Sequence, residues 1–174
     1  FTDIEPEESK MRQRAYRPNI ISVILSVALI FTFTFCDAQE KKVNPTLEKG
    51  IGQYKHENYD EALATLQKAR EEEPESTLAA YYLGLTYKQL QNYSDAVEPL
   101  KDAVTYKPKI KGALIELIDS LYQLNQLDEA KKWIVEAEAE GIRPAQIAFL
   151  RGLVLAKEGN ASGAVDSFKA AREL

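Results

Sequence analysis

The sequence predicts an all-α protein, a solenoid of four stacked helical hairpins, and three observations carry that expectation. From residue 39 onward, apolar side chains recur at i, i+3, i+4 and i+7, the spacing of one helical face. Small and large apolar residues then recur in phase every 34 residues. Eight glycines in 174 residues are too few for the many tight turns of an all-β fold. The composition, 45% hydrophobic and 28% charged, is that of a folding domain and not of a disordered tail. A net charge of −5 argues against a nucleic-acid binder, which needs a basic face. One Cys and one His exclude a disulfide framework and a local metal cluster.

The first element is a composition break. No acidic residue lies between Glu8 and Asp37, and Arg12, Arg14 and Arg17 precede the apolar run Ile20 to Phe35. A basic segment, an apolar core and a small residue at the exit make a secretory signal, with cleavage expected between Ala38 and Gln39. Residues 11–38 are therefore read as a signal peptide starting at Met11. The acidic residues 1–10 are read as an upstream segment and not the native start. An uncleaved membrane anchor is a second reading, since 16 to 19 uncharged residues approach the ~20 that span a bilayer. Acylation on Cys36 is a third, against which Phe35 stands in place of a small residue. In each case the basic flank keeps the N-terminus inside and sends residues 39–174 across the membrane. The protein is expected to be exported, periplasmic or otherwise extracytoplasmic, and to touch membrane only through this segment.

The repeats follow at about 43–75, 76–109, 110–143 and 144–174. Ala62, Ala96, Ala130 and Ala164 stand 34 apart, each followed seven residues later by Ala69, Ala103, Ala137 or Ala171. Between them sit Leu66, Leu100, Ile134 and Phe168, and upstream lie Gly50, Gly84, Ile118 and Gly152. Helices are expected at 44–57 and 59–72, 76–91 and 93–106, 110–125 and 127–140, and 144–158 and 161–173. In each second helix the small residues mark where the first must approach closely, and glycine in the first serves the same end. Asn58-x-x-Glu61 reads as a capping box and Asn92-x-x-Asp95 as a weaker one. Pro74 and Pro108 close the first two repeats. In the third, Gly141 ends the helix and Pro144 comes two residues late, so a reshaped turn is expected there.

This pattern resembles the tetratricopeptide repeat, and Leu83, Gly84, Tyr87, Tyr93, Ala96, Leu100, Ala103 and Pro108 carry the resemblance best. It implies a superhelix whose concave face is lined by the first helices. Tetratricopeptide arrays usually end in an extra shielding helix, so the sequence reads as a truncated chain. The alternative is self-association through the C-terminal helix around Val165, Phe168 and Leu174.

No nucleophile-and-base pair, phosphate loop, dinucleotide fingerprint or zinc spacing occurs, so a non-enzyme with no cofactor and no metal is expected. His56 reads as a solvated helix-terminal side chain. Asn92-Tyr93-Ser94 and Asn160-Ala161-Ser162 match the glycosylation sequon but stand where helices begin, and capping is the preferred reading. The groove-facing slots hold Leu47, Glu48, Ile51, Tyr54 and Lys55, then Tyr81, Tyr82, Leu85 and Lys88, then Ile115, Glu116, Asp119 and Tyr122, then Phe149, Leu150 and Leu153. Tyr54, Tyr81, Tyr82, Leu85, Lys88, Glu116, Asp119, Tyr122 and Phe149 are the candidate peptide-groove residues, since tyrosine buries area and keeps a hydrogen-bonding tip. The competing reading is that these side chains pack between neighbouring first helices. Glu116 and Asp119 would favour a ligand bearing Lys or Arg. Leu47 and Ile51 occupy slots where chaperone-binding relatives carry their carboxylate clamp, so that activity is not carried over. The expected function is an exported scaffold that binds a protein or peptide segment on its concave face. An accessory module of a larger enzyme and a homo-oligomerising structural protein are the alternatives.

Overall fold

The computed structural model describes residues 44–174, so the signal peptide or anchor expected at 11–38 and the upstream segment 1–10 lie outside the described residues. Four hairpins follow one another: α1 (Pro45–Lys55) with α2 (Tyr59–Glu72), α3 (Thr77–Gln89) with α4 (Tyr93–Thr105), α5 (Ala113–Gln123) with α6 (Leu127–Ala139), and α7 (Pro144–Lys157) with α8 (Ala161–Glu173). No strand occurs among the described residues. No described helix is long and apolar enough to cross a membrane.

Within each hairpin the turn is the same device. Glu57, Gln91, Asn125 and Gly159, spaced 34 apart, take left-handed φ values of 63°, 58°, 60° and 85°. The next residue's N–H, from Asn58, Asn92, Gln126 or Asn160, donates to the carbonyl of Gln53, Tyr87, Leu121 or Leu155 at 2.8–3.0 Å. The left-handed residue donates to Tyr54, Lys88, Tyr122 or Ala156 at 2.9–3.1 Å. This double bond set closes a helix by turning the chain left-handed, and it ends the first helices before 57, 91 and 125. Glycine fits the position without strain, and other residues cost about 1 kcal/mol or more there. Gly159→Ala is therefore expected to lose about 1 kcal/mol, and Gln91→Gly to lose nothing or gain slightly, in urea unfolding. An unchanged midpoint for Gly159→Ala would remove the strain argument.

Capping of the second helices departs from expectation at one site. Asn58 makes no side-chain cap, and the Glu61 carboxylate accepts from Gln53 Nε2 at 3.2 Å, so the expected capping box does not form. Asn92 and Asn160 do cap, accepting from Asp95 N and Gly163 N. Pro99, which the repeat pattern does not single out, sits inside α4 without ending it. At the third junction Gly141 has φ 63° and Arg143 φ 37°, and Pro144 begins α7 as its first residue. That turn is reshaped as expected.

Close approach within each hairpin follows the glycine pattern. A Cβ on Gly84 would lie 2.6 Å from Leu100 Cγ, and one on Gly152 would lie 2.5 Å from the Phe168 ring. In the third hairpin Ile118 and Ile134, both buried, replace the glycine–leucine pair. Buried side chains form two clusters, one around Leu66 and one running from Ala80 to Val154, and Tyr87 packs against both.

First helices lie side by side along the array: α1 packs on α3, α3 on α5 and α5 on α7. Among the described residues no second helix packs on the next second helix. Long side chains span that wider side instead, as in Lys101–Glu129 at 2.9 Å and the Arg70–Asp102 pair. The first helices therefore line the inner, concave side of the curve.

Candidate interaction surface

The inner side is built from rungs that each join a late position of one first helix to the position 28 residues on, early in the next. The first rung is aromatic. Tyr54 of α1 meets Tyr82 of α3 edge-on with ring centroids 5.5 Å apart, and Tyr82 meets its neighbour Tyr81 at 5.6 Å. Tyr59 abuts Tyr54 at 5.6 Å. Such edge-to-face pairs add about 0.5–1.5 kcal/mol each beyond area burial. Tyr54, Tyr81 and Tyr82 are half-buried, so each ring is packed against its neighbours in part and open to solvent in part.

The second rung is ionic. Lys88 Nζ lies 2.6 Å from Glu116 Oε2 and 2.7 Å from Asp119 Oδ2, joining α3 to α5. Burial alone would lower the Lys88 ammonium, but hydrogen bonds to Asp119 and Glu116 outweigh it and hold it above its ordinary value. Both acids are thus neutralised in part within the protein, and their pull on a basic ligand is that of one net negative charge. Burial raises the phenols of Tyr54 and Tyr81, and the Glu116 charge adds to both.

At the third rung Tyr122 and Leu150 belong to the same apolar cluster. Lys157 Nζ sits 4.4 Å above the Tyr122 ring and donates to the Tyr122 carbonyl at 2.8 Å. Lys157 is absent from the sequence-derived set, although it occupies the Lys55 slot three repeats on and the period alone points to it.

Several expected slots do not reach the surface. Leu47, Ile115 and Leu150 are no more than 6% exposed and belong to the core, because adjoining first helices close over them. Phe149 is half exposed, yet its ring partner is Phe168 of α8, with centroids 5.6 Å apart. It therefore lines the outer groove of the last hairpin. Leu85 remains half-buried beside the tyrosines on α3. His56 is exposed, with Nδ1 2.7 Å from the Gly52 carbonyl. No cluster suited to a metal ion occurs among the described residues.

Residues 115–174 match the tetratricopeptide repeat family model, and residues 31–114 match the model described as regulator of microtubule dynamics protein 1-3. No curated protein matches the chain. Among solved structures, MamA MSR-1 is 25% identical with a TM-score of 0.69, covering 87% of this chain and 87% of that one. A MamA mutant is 26% identical with a TM-score of 0.68, covering 95% of this chain and 99% of that one. A thermophilic TPR protein of Thermus thermophilus is 29% identical with a TM-score of 0.58, covering 74% of this chain and 72% of that one. The all-helical array of hairpins thus matches solved structures of this fold, and residues 44–174 form a tetratricopeptide-repeat solenoid of four helical hairpins.

Proposed function

We propose that this protein is a non-catalytic scaffold that holds a segment of a partner protein along its concave side. The observation that supports this is the half-buried tyrosine cluster of Tyr54, Tyr81 and Tyr82, which spans α1 and α3 with Leu85 beside it. Aromatic anchors of this kind carry much of the energy at protein interfaces. The likeness to MamA and to a TPR protein supports a binding role in kind. The match over residues 31–114 is to a family named for regulating microtubule dynamics. Export is part of the proposal and rests on the composition of residues 11–38. On that reading the scaffold works outside the cytoplasm and meets the membrane at that segment.

The test uses the full chain in its native cell with a photo-crosslinking side chain at Leu85 or at Val135, which is 65% exposed on α6. Adducts to one partner from Leu85 and none from Val135 are expected. Tyr82→Ala should weaken that partner's binding by about 2 kcal/mol, and Tyr82→Phe, which keeps the ring packing, much less. Equal adducts from both positions would rule out the concave side.

A further inference from the structure

The tyrosine cluster and the ionic rung occupy one stretch of the concave side, built from α1, α3 and α5. Tyr82, Leu85 and Lys88 follow one another over about 9 Å of α3. Tyr54 of α1 borders the early end of this stretch through its ring contact with Tyr82. Glu116 and Asp119 of α5 border the late end through Lys88. Beyond burial, the Glu116 charge acts on the phenols of both Tyr54 and Tyr81, so the carboxylate and the rings belong to one patch. A half-buried floor of rings and Leu85 therefore leads into a pair of carboxylates.

The rung is layered, with its negative groups outermost. The Lys88 side chain is 13% exposed, whereas that of Glu116 is 30% and that of Asp119 32% exposed. The ammonium takes up Glu116 Oε2 and Asp119 Oδ2. Glu116 Oε1 accepts no hydrogen bond among the described residues, and Asp119 Oδ1 accepts a long one from Gln123 Nε2 at 3.4 Å. Two carboxylates against one ammonium leave one net negative charge, carried by the more exposed groups. Other cations of the concave side do not cancel it. Lys157 is held by the Tyr122 ring and carbonyl, and Lys55 lies on α1, with α3 between it and the acids.

Taking the partner segment to lie along the concave side, as proposed, we infer that this stretch receives an arginine side chain of that segment. The arginine stem covers Tyr82 and Leu85, as long charged side chains do on apolar surface. Its guanidinium donates to Glu116 Oε1 and Asp119 Oδ1. Arginine suits the place better than lysine. Its planar fork offers five donors to two separate carboxylates, it is more weakly hydrated than an ammonium, and it stacks on aromatic faces. An acidic side chain at the same point would meet like charge and be rejected.

The probe is a random dodecapeptide library displayed on phage and panned against the full chain. Arginine should be enriched at one position of the selected sequences, above lysine and beside apolar residues. A selected peptide labelled with fluorescein should lose about tenfold in affinity, by anisotropy, when that arginine becomes citrulline, which keeps the shape and removes the charge. It should lose less when the arginine becomes lysine. The triple variant Lys88→Met, Glu116→Gln, Asp119→Asn removes the rung without leaving an unpaired charge, and should bind the arginine and citrulline peptides alike. Tyr82→Ala should weaken both. Selected peptides that need Tyr82 but bind equally with arginine or citrulline would overturn the arginine site and leave the concave-side reading standing. A preference for arginine that persists in the triple variant would do the same. If no peptide is selected, or if binding is indifferent to Tyr82→Ala, the concave-side reading itself fails and the arginine site fails with it.

Discussion

Leu100→Ala should destabilise the repeat domain by about 2–5 kcal/mol, and Gly84→Ala should be harmful alone but harmless in that background. Leu100 is fully buried, and its Cγ fills the space that the missing side chain of Gly84 leaves open. Truncating it removes transfer energy and leaves a cavity between α3 and α4, with the second core cluster on both sides. Gly84→Ala alone places a methyl 2.6 Å from Leu100 Cγ, and Leu100 has no exposed direction in which to move. Overpacking of that kind costs about 1–3 kcal/mol, against which alanine returns about 1 kcal/mol of helix propensity. Without Leu100 only the propensity gain remains. The two changes should therefore couple by about 1–3 kcal/mol in a urea-unfolding double-mutant cycle. Strict additivity would mean that α3 and α4 separate to admit the methyl, and the close-approach account of the 34-residue glycines would fail.

The same pair shows why so much of the fold is legible. Gly84 and Leu100 recur as Gly50 and Leu66, and as Gly152 and Phe168, so three copies of one packing contact stand in the sequence as a period. The turns are less legible. Three of the four left-handed positions hold Glu57, Gln91 and Asn125, of which only the asparagine hints at positive φ, so the spacing carries the first helices one or two residues too far at their C-terminal ends. Pro99 breaks a local rule inside α4, where Val97 and Leu100 on either side of it stay buried and the helix continues to Thr105.

The candidate surface is legible as a list of slots and not as a set of contacts. Periodicity places Lys88, Glu116 and Asp119 on first helices, but only the 28-residue rung brings Lys88 and Glu116 onto one another, with Asp119 one turn further along. Tyr54, Tyr81 and Tyr82 stand out in the sequence as groove residues, and their mutual edge-on packing does not, because nothing local encodes the offset between neighbouring helices. Leu47, Ile115 and Leu150 share slots with exposed residues of other repeats, yet each is closed over by its particular neighbours. Slot identity survives divergence better than exposure does.

Lys88→Met should destabilise the protein by about 2 kcal/mol and add a pH dependence in the acid range that the wild type lacks. The change leaves the Glu116 and Asp119 carboxylates, now gathered around one ammonium, facing each other on a partly buried surface. Breaking a fully buried pair costs about 3–5 kcal/mol, and these carboxylates, each about a third exposed, keep some hydration that reduces the penalty. Adding Glu116→Gln and Asp119→Asn should recover most of the loss. In the wild type the sign runs toward alkali. Lys88 is held above its ordinary value, so its pairing stabilises fully below the unfolded value of about 10.4 and is lost as pH rises through the folded one. Tyr54 and Tyr81, raised chiefly by burial, prefer the neutral phenol in the fold and also lose stability above about pH 10. Wild-type stability should therefore stay level from neutrality to about pH 10 and decline beyond it, as far as these groups set it. In Lys88→Met the unpaired like charges favour protonation in the folded state, so stability should rise relative to wild type as pH falls toward about 5. Urea midpoints at about pH 5, 7 and 10.5 decide the matter. A variant that tracks the wild type across the acid half of that range would show that the two carboxylates do not interact, and the ionic rung between α3 and α5 would lose its role.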